Sequence, residues 1–284
     1  MELTAEENAL IATIGFDATV CQAVKNVVAR PLEQLQEYDK ETYEPVPAAG
    51  LSVAVEKAEL DGLMPQLRGV LPAGYHAFWS RRREANGLRA SEEIVLLRDE
   101  DPWRIVDLKA TDGANYGFQT HDIIAWLQQL SARCKFELTG AADDWVALRF
   151  ETLPPDICAF AQEVYEFCPD SVDQGIGLMS EEDDPELFEL ALQLCPQEAP
   201  RTQREEAAKT GAQSPSQFLE AHLAKLPPEM RAQWEKTVQE QLASHGYSIE
   251  EMLADADDNP SSEMGVKLLA ATLHRDKELF LWWD

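Results

Sequence analysis

Basic residues are scarce in this chain. It has 24 lysines and arginines against 52 aspartates and glutamates, a formal net charge of -28 at pH 7. A surface of that sign repels phosphate backbones, which argues against nucleic acid as a direct ligand. It argues equally against an anionic membrane surface. Long apolar runs are also missing, and none approaches the ~18 residues that a membrane-spanning helix needs. The opening segment "MELTAEENAL" is acidic and lacks the basic start and apolar centre of a secretory leader, so the expected location is the cytoplasm. The five cysteines (Cys21, Cys134, Cys158, Cys168 and Cys195) are odd in number, irregular in spacing and form no Cys-x-x-Cys pair. That pattern predicts free thiols in a reducing compartment.

Catalytic signatures are thin as well. The sequence has no Walker loop, no dinucleotide glycine fingerprint, no Gly-x-Ser-x-Gly and no His-Glu-x-x-His. The five histidines, His76, His121, His222, His245 and His274, never stand three or four apart, so no helix offers a ligand pair for a metal. "DADDN" lacks the glycine and closing glutamate of a calcium loop. No metal and no cofactor is expected.

An α+β fold with a mixed sheet flanked by helices is what the pattern does contain. Residues 2–45 read as helical, with Thr4 and Glu7 as a capping box. "GLSVAV", "GYHAFWS", "EEIVLLR", "WRIVDL", "KFELTG", "DWVALRF" and "SVDQGIGLM" read as strands. Between them come a helix over Leu60–Leu71, one capped at Thr120, and one opened by Pro154 and Pro155. Residues 180–262 read as all-helical apart from a polar linker, with Ser248 and Glu251 as another capping box, and carry 18 acids against 6 bases. One more helix leads to the last strand, "ELFLWWD", which is apolar on both faces and so predicts a covered interior strand. The resulting segmentation is 1–45, N-terminal helices; 46–179 plus 263–284, an α+β core; and 180–262, an acidic helical insertion.

Two stretches concentrate polar groups. "TDGANYGFQTHD" carries Asp112, Asn115 and Tyr116, and reads either as a small polar pocket or as a strand-to-helix loop bonded to its own backbone. "FCPDSVDQGIG" carries Cys168, Asp170, Asp173 and Gln174. A cysteine nucleophile needs a nearby base, and no histidine is close in sequence. The two aspartates read as paired carboxylates or as caps. The densest acidic runs hold Glu181, Glu182, Asp183 and Asp184, then Glu250, Glu251, Asp255, Asp257 and Asp258. They suit either a solvated helix end or a patch that meets a basic partner.

The stretches "PWRIVDLKATDGANYG", "DDWVALRF", "VYEFCPDSVDQG" and the terminal "LFLWWD", with Trp282, Trp283 and Asp284, resemble the bacterial domain of unknown function 4253. The resemblance spans roughly 50–179 and 263–284, and departs from the family pattern by inserting 180–262. It implies no established reaction. Similar domains occur among candidate immunity proteins beside bacterial toxins, including type VI secretion effectors. The expectation is therefore an immunity protein that neutralises a cognate toxin by occluding a basic surface, the toxin being a nuclease domain. The alternatives are an enzyme using a pocket around Asp112, Asp170 and Asp173, and a non-inhibitory adaptor. Trp282 and Trp283 are expected in the core, one on each face of the sheet.

Overall fold

The computed structural model describes residues 1–38, 45–83, 90–196, 213–225, 227–243, 248–258 and 262–283. The polar linker, Leu226, Gly246, Asp284 and the side chains of Asp255, Asp257 and Asp258 lie outside the described residues. The fold is α+β, and the chain divides into two compact units, residues 1–153 with 277–284, and residues 154–276.

In the first unit, helix α1 (Ala5–Ile14) is held by both halves of the Thr4/Glu7 box and ends at Gly15, whose φ of 73° is left-handed. Helix α2 (Ala18–Val28) starts at Asp17, whose carboxylate accepts from the Thr19 and Val20 amides. The helical reading of residues 2–45 stops there. Past Pro31 the chain becomes strand β1 (Glu33–Tyr38), because Leu35 is buried between polar neighbours at a period of two rather than 3.6. It pairs antiparallel with β2 (Pro45–Ala54).

Helix α3 (Leu60–Val70) runs through Pro65 rather than starting at it. Strands β3 (Tyr75–Arg83) and β4 (Ala90–Arg98) form an antiparallel pair. "WRIVDL" is a helix, α4 (Arg104–Leu108), not a strand. Ile105, Val106 and Leu108 are all buried, a spacing that a short helix satisfies and an alternating strand does not. Helix α5 (Thr120–Ser131) is capped one residue earlier than predicted, at Gln119 rather than Thr120, with Gln119 and Asp122 forming the box. Strands β5 (Phe136–Ala141) and β6 (Trp145–Phe150) follow.

The sheet order is β1-β2-β4-β3-β5-β6-β7. All neighbours are antiparallel except β3 and β5, which are parallel and meet at the single pair Trp79 and Gly140. One face, through Leu51, Val53, Ala77, Ile94 and Leu96, forms a core with Ile11, Cys21, Val24, Met64 and Leu67 of the first three helices. The terminal strand β7 (Glu278–Trp282) pairs with β6 at the end of the sheet order, not in its interior. Leu279 and Leu281 are buried while Phe280 is 44% exposed, so its alternation is that of an edge strand with one sheltered face.

The second unit consists of α6 (Ile157–Phe167), α7 (Asp170–Asp173), α8 (Pro185–Leu194), α9 (Pro215–Leu223), α10 (Pro228–Ala243), α11 (Ile249–Asp258) and α12 (Ser262–Asp276). "SVDQGIGLM" is not a strand. It is α7 followed by a 3-10 turn over Ile176–Leu178. The core joins Leu187, Phe188 and Ala191 of α8 to Met264, Leu268 and Ala271 of α12. Helix α12 thus needs α8 as its partner, which is why the units divide at 153/154 and 276/277 rather than along the segmentation read from sequence. Cys158 and Cys195 form a disulfide with Cα atoms 6.0 Å apart, while Cys21, Cys134 and Cys168 are buried free thiols. The expectation of five free thiols is corrected accordingly: odd spacing in sequence does not stop two helix ends from meeting. No helix among the described residues is long and apolar enough to cross a membrane.

Candidate functional site

The first polar stretch lies at the carboxyl ends of β3 and β5, where parallel strands leave a crevice in α/β sheets. After α4 the chain turns at Ala110, which has a φ of 51°. The Thr111 hydroxyl then donates to the Ala142 carbonyl at 2.6 Å, and the Asp112 amide donates to the Asp143 carbonyl at 2.9 Å. Opposite, the Trp283 amide donates to the Asp144 carbonyl at 2.9 Å. The Trp283 indole lies on Gly113, where an added Cβ would stand 2.9 Å from the ring. Trp283 is 3% exposed, as a core residue would be, whereas Trp282 is only half-buried. The Thr-Asp-Gly turn, the Asp143–Asp144 turn and the terminal tryptophan are therefore one assembly, tied mainly through backbone.

Beside it lies a cavity of about 40 Å³ lined by Gln36, Arg81, Lys109 and Asp143 among others. Both of its cations are paired. Arg81 pairs with Asp144 at 2.9 Å, and Lys109 pairs with Glu93. Glu93 is 2% exposed and also accepts from the Ser52 hydroxyl, with Arg82 at 3.6 Å. Sequence reasoning missed this network. Its one signal was that Glu93 stands in phase with the buried Val95 and Leu97 along β4. Asp112 itself is exposed and accepts from the Ala114 amide at 3.3 Å, while Asn115 and Tyr116 are exposed on the same 3-10 turn. The arrangement is a loop bonded to its own backbone, beside a small cavity whose two cations are paired.

The second stretch builds a helical corner in the other unit. Cys168 is fully buried, with its sulfur 3.0 Å from the Ser171 hydroxyl oxygen. Asp170 is buried and accepts from the Gln174 amide at 2.7 Å, whereas Asp173 is exposed and accepts from the Tyr165 hydroxyl at 3.3 Å. The two carboxylates are held by different partners, and Asp112 belongs to the other compact unit. Gly177 and Gly265 approach at their Cα atoms, where a Cβ on Gly265 would stand 3.1 Å from Gly177 and collide with Val172. The "GIG" signature is thus the seat on which α12 rests. Among the described residues, no group of three or more His, Cys, Asp and Glu is placed to hold a metal.

The acidic runs divide by role. Glu181, Glu182 and Glu250 are exposed. Asp183 accepts from the Ser180 amide and hydroxyl, and these bonds hold its carboxyl below the usual range. Asp184 is held low by Arg275 at 2.7 Å and by the Leu187 amide that it caps. Glu251 is held low by Ser248 in the predicted capping box. Asp184 and Glu251 thus also serve to start helices, and Asp183 holds a turn.

Residues 93–194 match the family model described as "Domain of unknown function (DUF4253)". The DUF4253 span runs from β4 through α8, so it takes in both polar stretches and enters the segment read as an insertion. It leaves the terminal "LFLWWD" outside. No curated protein matches the chain, and no solved structure does.

Proposed function

We propose that the chain is an immunity protein: it binds a basic antibacterial toxin, a nuclease effector of a type VI secretion system, and blocks its active surface. The observation that carries this reading is how the chain spends its few cations. Lys25, Arg30, Arg68, Arg81, Arg82, Arg104, Lys109, Arg149, Arg231 and Arg275 all sit in internal ion pairs with carboxylates. With 52 acids in total, the charge left unmatched is overwhelmingly negative. Such a field speeds encounter with a basic surface and rejects polyanions. The exposed Glu181, Glu182 and Glu250 on the helical unit are the proposed contact residues, with Asp255, Asp257 and Asp258 of the same acidic run.

The test is co-expression with the toxin encoded beside the gene, read as growth rescue, and titration calorimetry of the purified pair. Rescue is expected from the wild type. Charge reversal at Glu181, Glu182 and Glu250 should weaken binding about tenfold or more, with affinity falling steeply as salt rises. These positions avoid the capping carboxylates, so the fold should survive. Binding without rescue would instead identify a non-inhibitory adaptor, and undiminished rescue by the reversed variant would remove the helical unit from the contact.

A further inference from the structure

Strands β3 and β5 touch at one register position and then part. Their meeting point depends on Gly140, where a Cβ would stand 2.6 Å from the Trp79 carbonyl oxygen. Toward the amino ends of the two strands the sheet opens, and the gap between Tyr75–Phe78 and Phe136–Leu138 is a cleft of about 680 Å³. Clefts of that size hold small molecules or single large side chains. None of the candidate site residues read from the sequence lies in it, although His76 lines it, and it belongs wholly to the sheet unit.

The lining is mainly aromatic and aliphatic, with His76 and one ion pair, Arg68 with Glu137. Tyr75, Phe78, Trp103 and Phe136 supply aromatic surface, with the Trp103 and Phe136 rings 6.0 Å apart. Glu137 projects a carboxylate that is 48% exposed, and Arg68 meets one of its oxygens at 2.7 Å. A carboxylate has about four acceptor sites, so this contact leaves room for a second donor. Beside Trp103, Asp99 and Asp101 accept from backbone amides and hold the acidic segment Asp99–Glu100–Asp101 in place. Glu100 and Asp101 are exposed. At the rim the chain already uses the same recognition internally, since the Arg98 guanidinium lies 5.8 Å over the Tyr75 ring.

An anion entering the cleft would meet Arg68, whose guanidinium is already paired with Glu137, and would oppose the negative field of the whole molecule. A neutral aromatic would leave the carboxylates unused. A planar, weakly hydrated cation uses both kinds of surface, stacking on the rings while donating to Glu137. We infer that the cleft between β3 and β5 receives an arginine side chain of the basic partner protein. This inference rests on the proposed function for the source of the arginine, and it places a specific anchor on the sheet unit in addition to the acidic helices.

The probe is the blocked tripeptide Gly-Arg-Gly, titrated into the full chain while the Trp103 indole N–H is followed by NMR, with the citrulline peptide as the neutral control of equal shape. The arginine peptide should give a saturable shift at Trp103, and the citrulline peptide should not. Glu137→Gln should weaken the peptide about threefold to fivefold, the size of an exposed ion pair. Trp103→Leu should add a further loss of about twofold to fivefold from the ring. The same variants should weaken the toxin complex, while charge reversal at Glu181, Glu182 and Glu250 should leave the peptide's affinity unchanged. Equal shifts with arginine and citrulline, or a toxin complex indifferent to both cleft variants, would overturn the inference and leave the acidic-helix reading intact. If the arginine peptide binds but no basic protein does, the immunity reading falls, and with it the partner as the arginine's source. Glu137→Gln changes an exposed side chain and so keeps the test interpretable if Trp103→Leu fails to fold.

Discussion

The two compact units are stabilised in different ways. The sheet unit buries charge: Lys25 is 1% exposed, Glu7 5% and Glu93 2%, each held by an oppositely charged partner. The helical unit also buries Asp170 and Lys267, at 3% and 6% exposed, but beside its apolar seam between α8 and α12 it carries a covalent staple. A buried ion pair tolerates no loss of either partner, because the survivor is left charged in a dry site. A disulfide, by contrast, acts chiefly by shrinking the unfolded ensemble and is indifferent to pH. One unit should therefore be fragile to acid and the other to reductant.

The largest expected effect is on the helical unit. Cys158 and Cys195 lie 37 residues apart, and closing a loop of that length is worth about 4 kcal/mol on the chain-entropy model. Reduction, or the double change to serine, should raise hydrogen exchange across α6 and α8 while sparing α1 and α2. Iodoacetamide should label Cys21, Cys134 and Cys168 only on unfolding, since all three are buried. Equal exchange with and without reductant would show that the staple does not support this unit.

Acid should act the other way. Burial alone would raise the Glu7 carboxyl. Hydrogen bonds from Lys25 and from the Thr4 and Leu32 amides prevail, together with the Lys25 charge, and lower it from 4.5 to about 2. Its folded pKa lies below its unfolded one, so its contribution is complete above pH 4.5 and is lost as pH falls toward 2. The shift corresponds to about 3 kcal/mol. Denaturant melts at successive pH values should show this loss, and Glu7→Gln should start less stable and flatten the profile. A variant with the wild type's acid slope would mean that Glu7 does not carry it.

Much of the secondary structure could be read from sequence, though little of this contrast, and the failures have physical causes. Where period and caps agreed, the elements stood: Thr4 with Glu7 and Ser248 with Glu251 both close as capping boxes. Short apolar stretches failed, because three buried residues in "RIVDL" fit a single helical turn as well as a strand. The last strand was legible as a strand, but its place at the edge was not, since pairing order depends on contacts far apart in sequence. Of the candidate site, the acidic surface was visible from composition. Three features were invisible: the Glu93 network, the disulfide, and the cleft of Tyr75, Trp103 and Phe136. Each gathers residues from separate elements that carry no shared local pattern.

The smallest expected effect tests whether the Thr-Asp-Gly turn belongs to the architecture of the sheet unit or to chemistry. Gly113 has a φ of -122°, so alanine is permitted by its backbone. Only the Trp283 ring, 2.9 Å from the position of a new Cβ, opposes the change. Overpacking of this kind costs about 1–2 kcal/mol. Gly113→Ala should therefore lower the melting temperature of the sheet unit modestly and alter the tryptophan emission, as Trp283 shifts against the Asp144 carbonyl that holds it. Partner binding and growth rescue should persist, because the turn is read here as a clamp for the terminal strand. If rescue is lost while the melt stays at the wild-type value, the turn is a working surface rather than a clamp, and a third contact would have to be added to the acidic helices and the cleft.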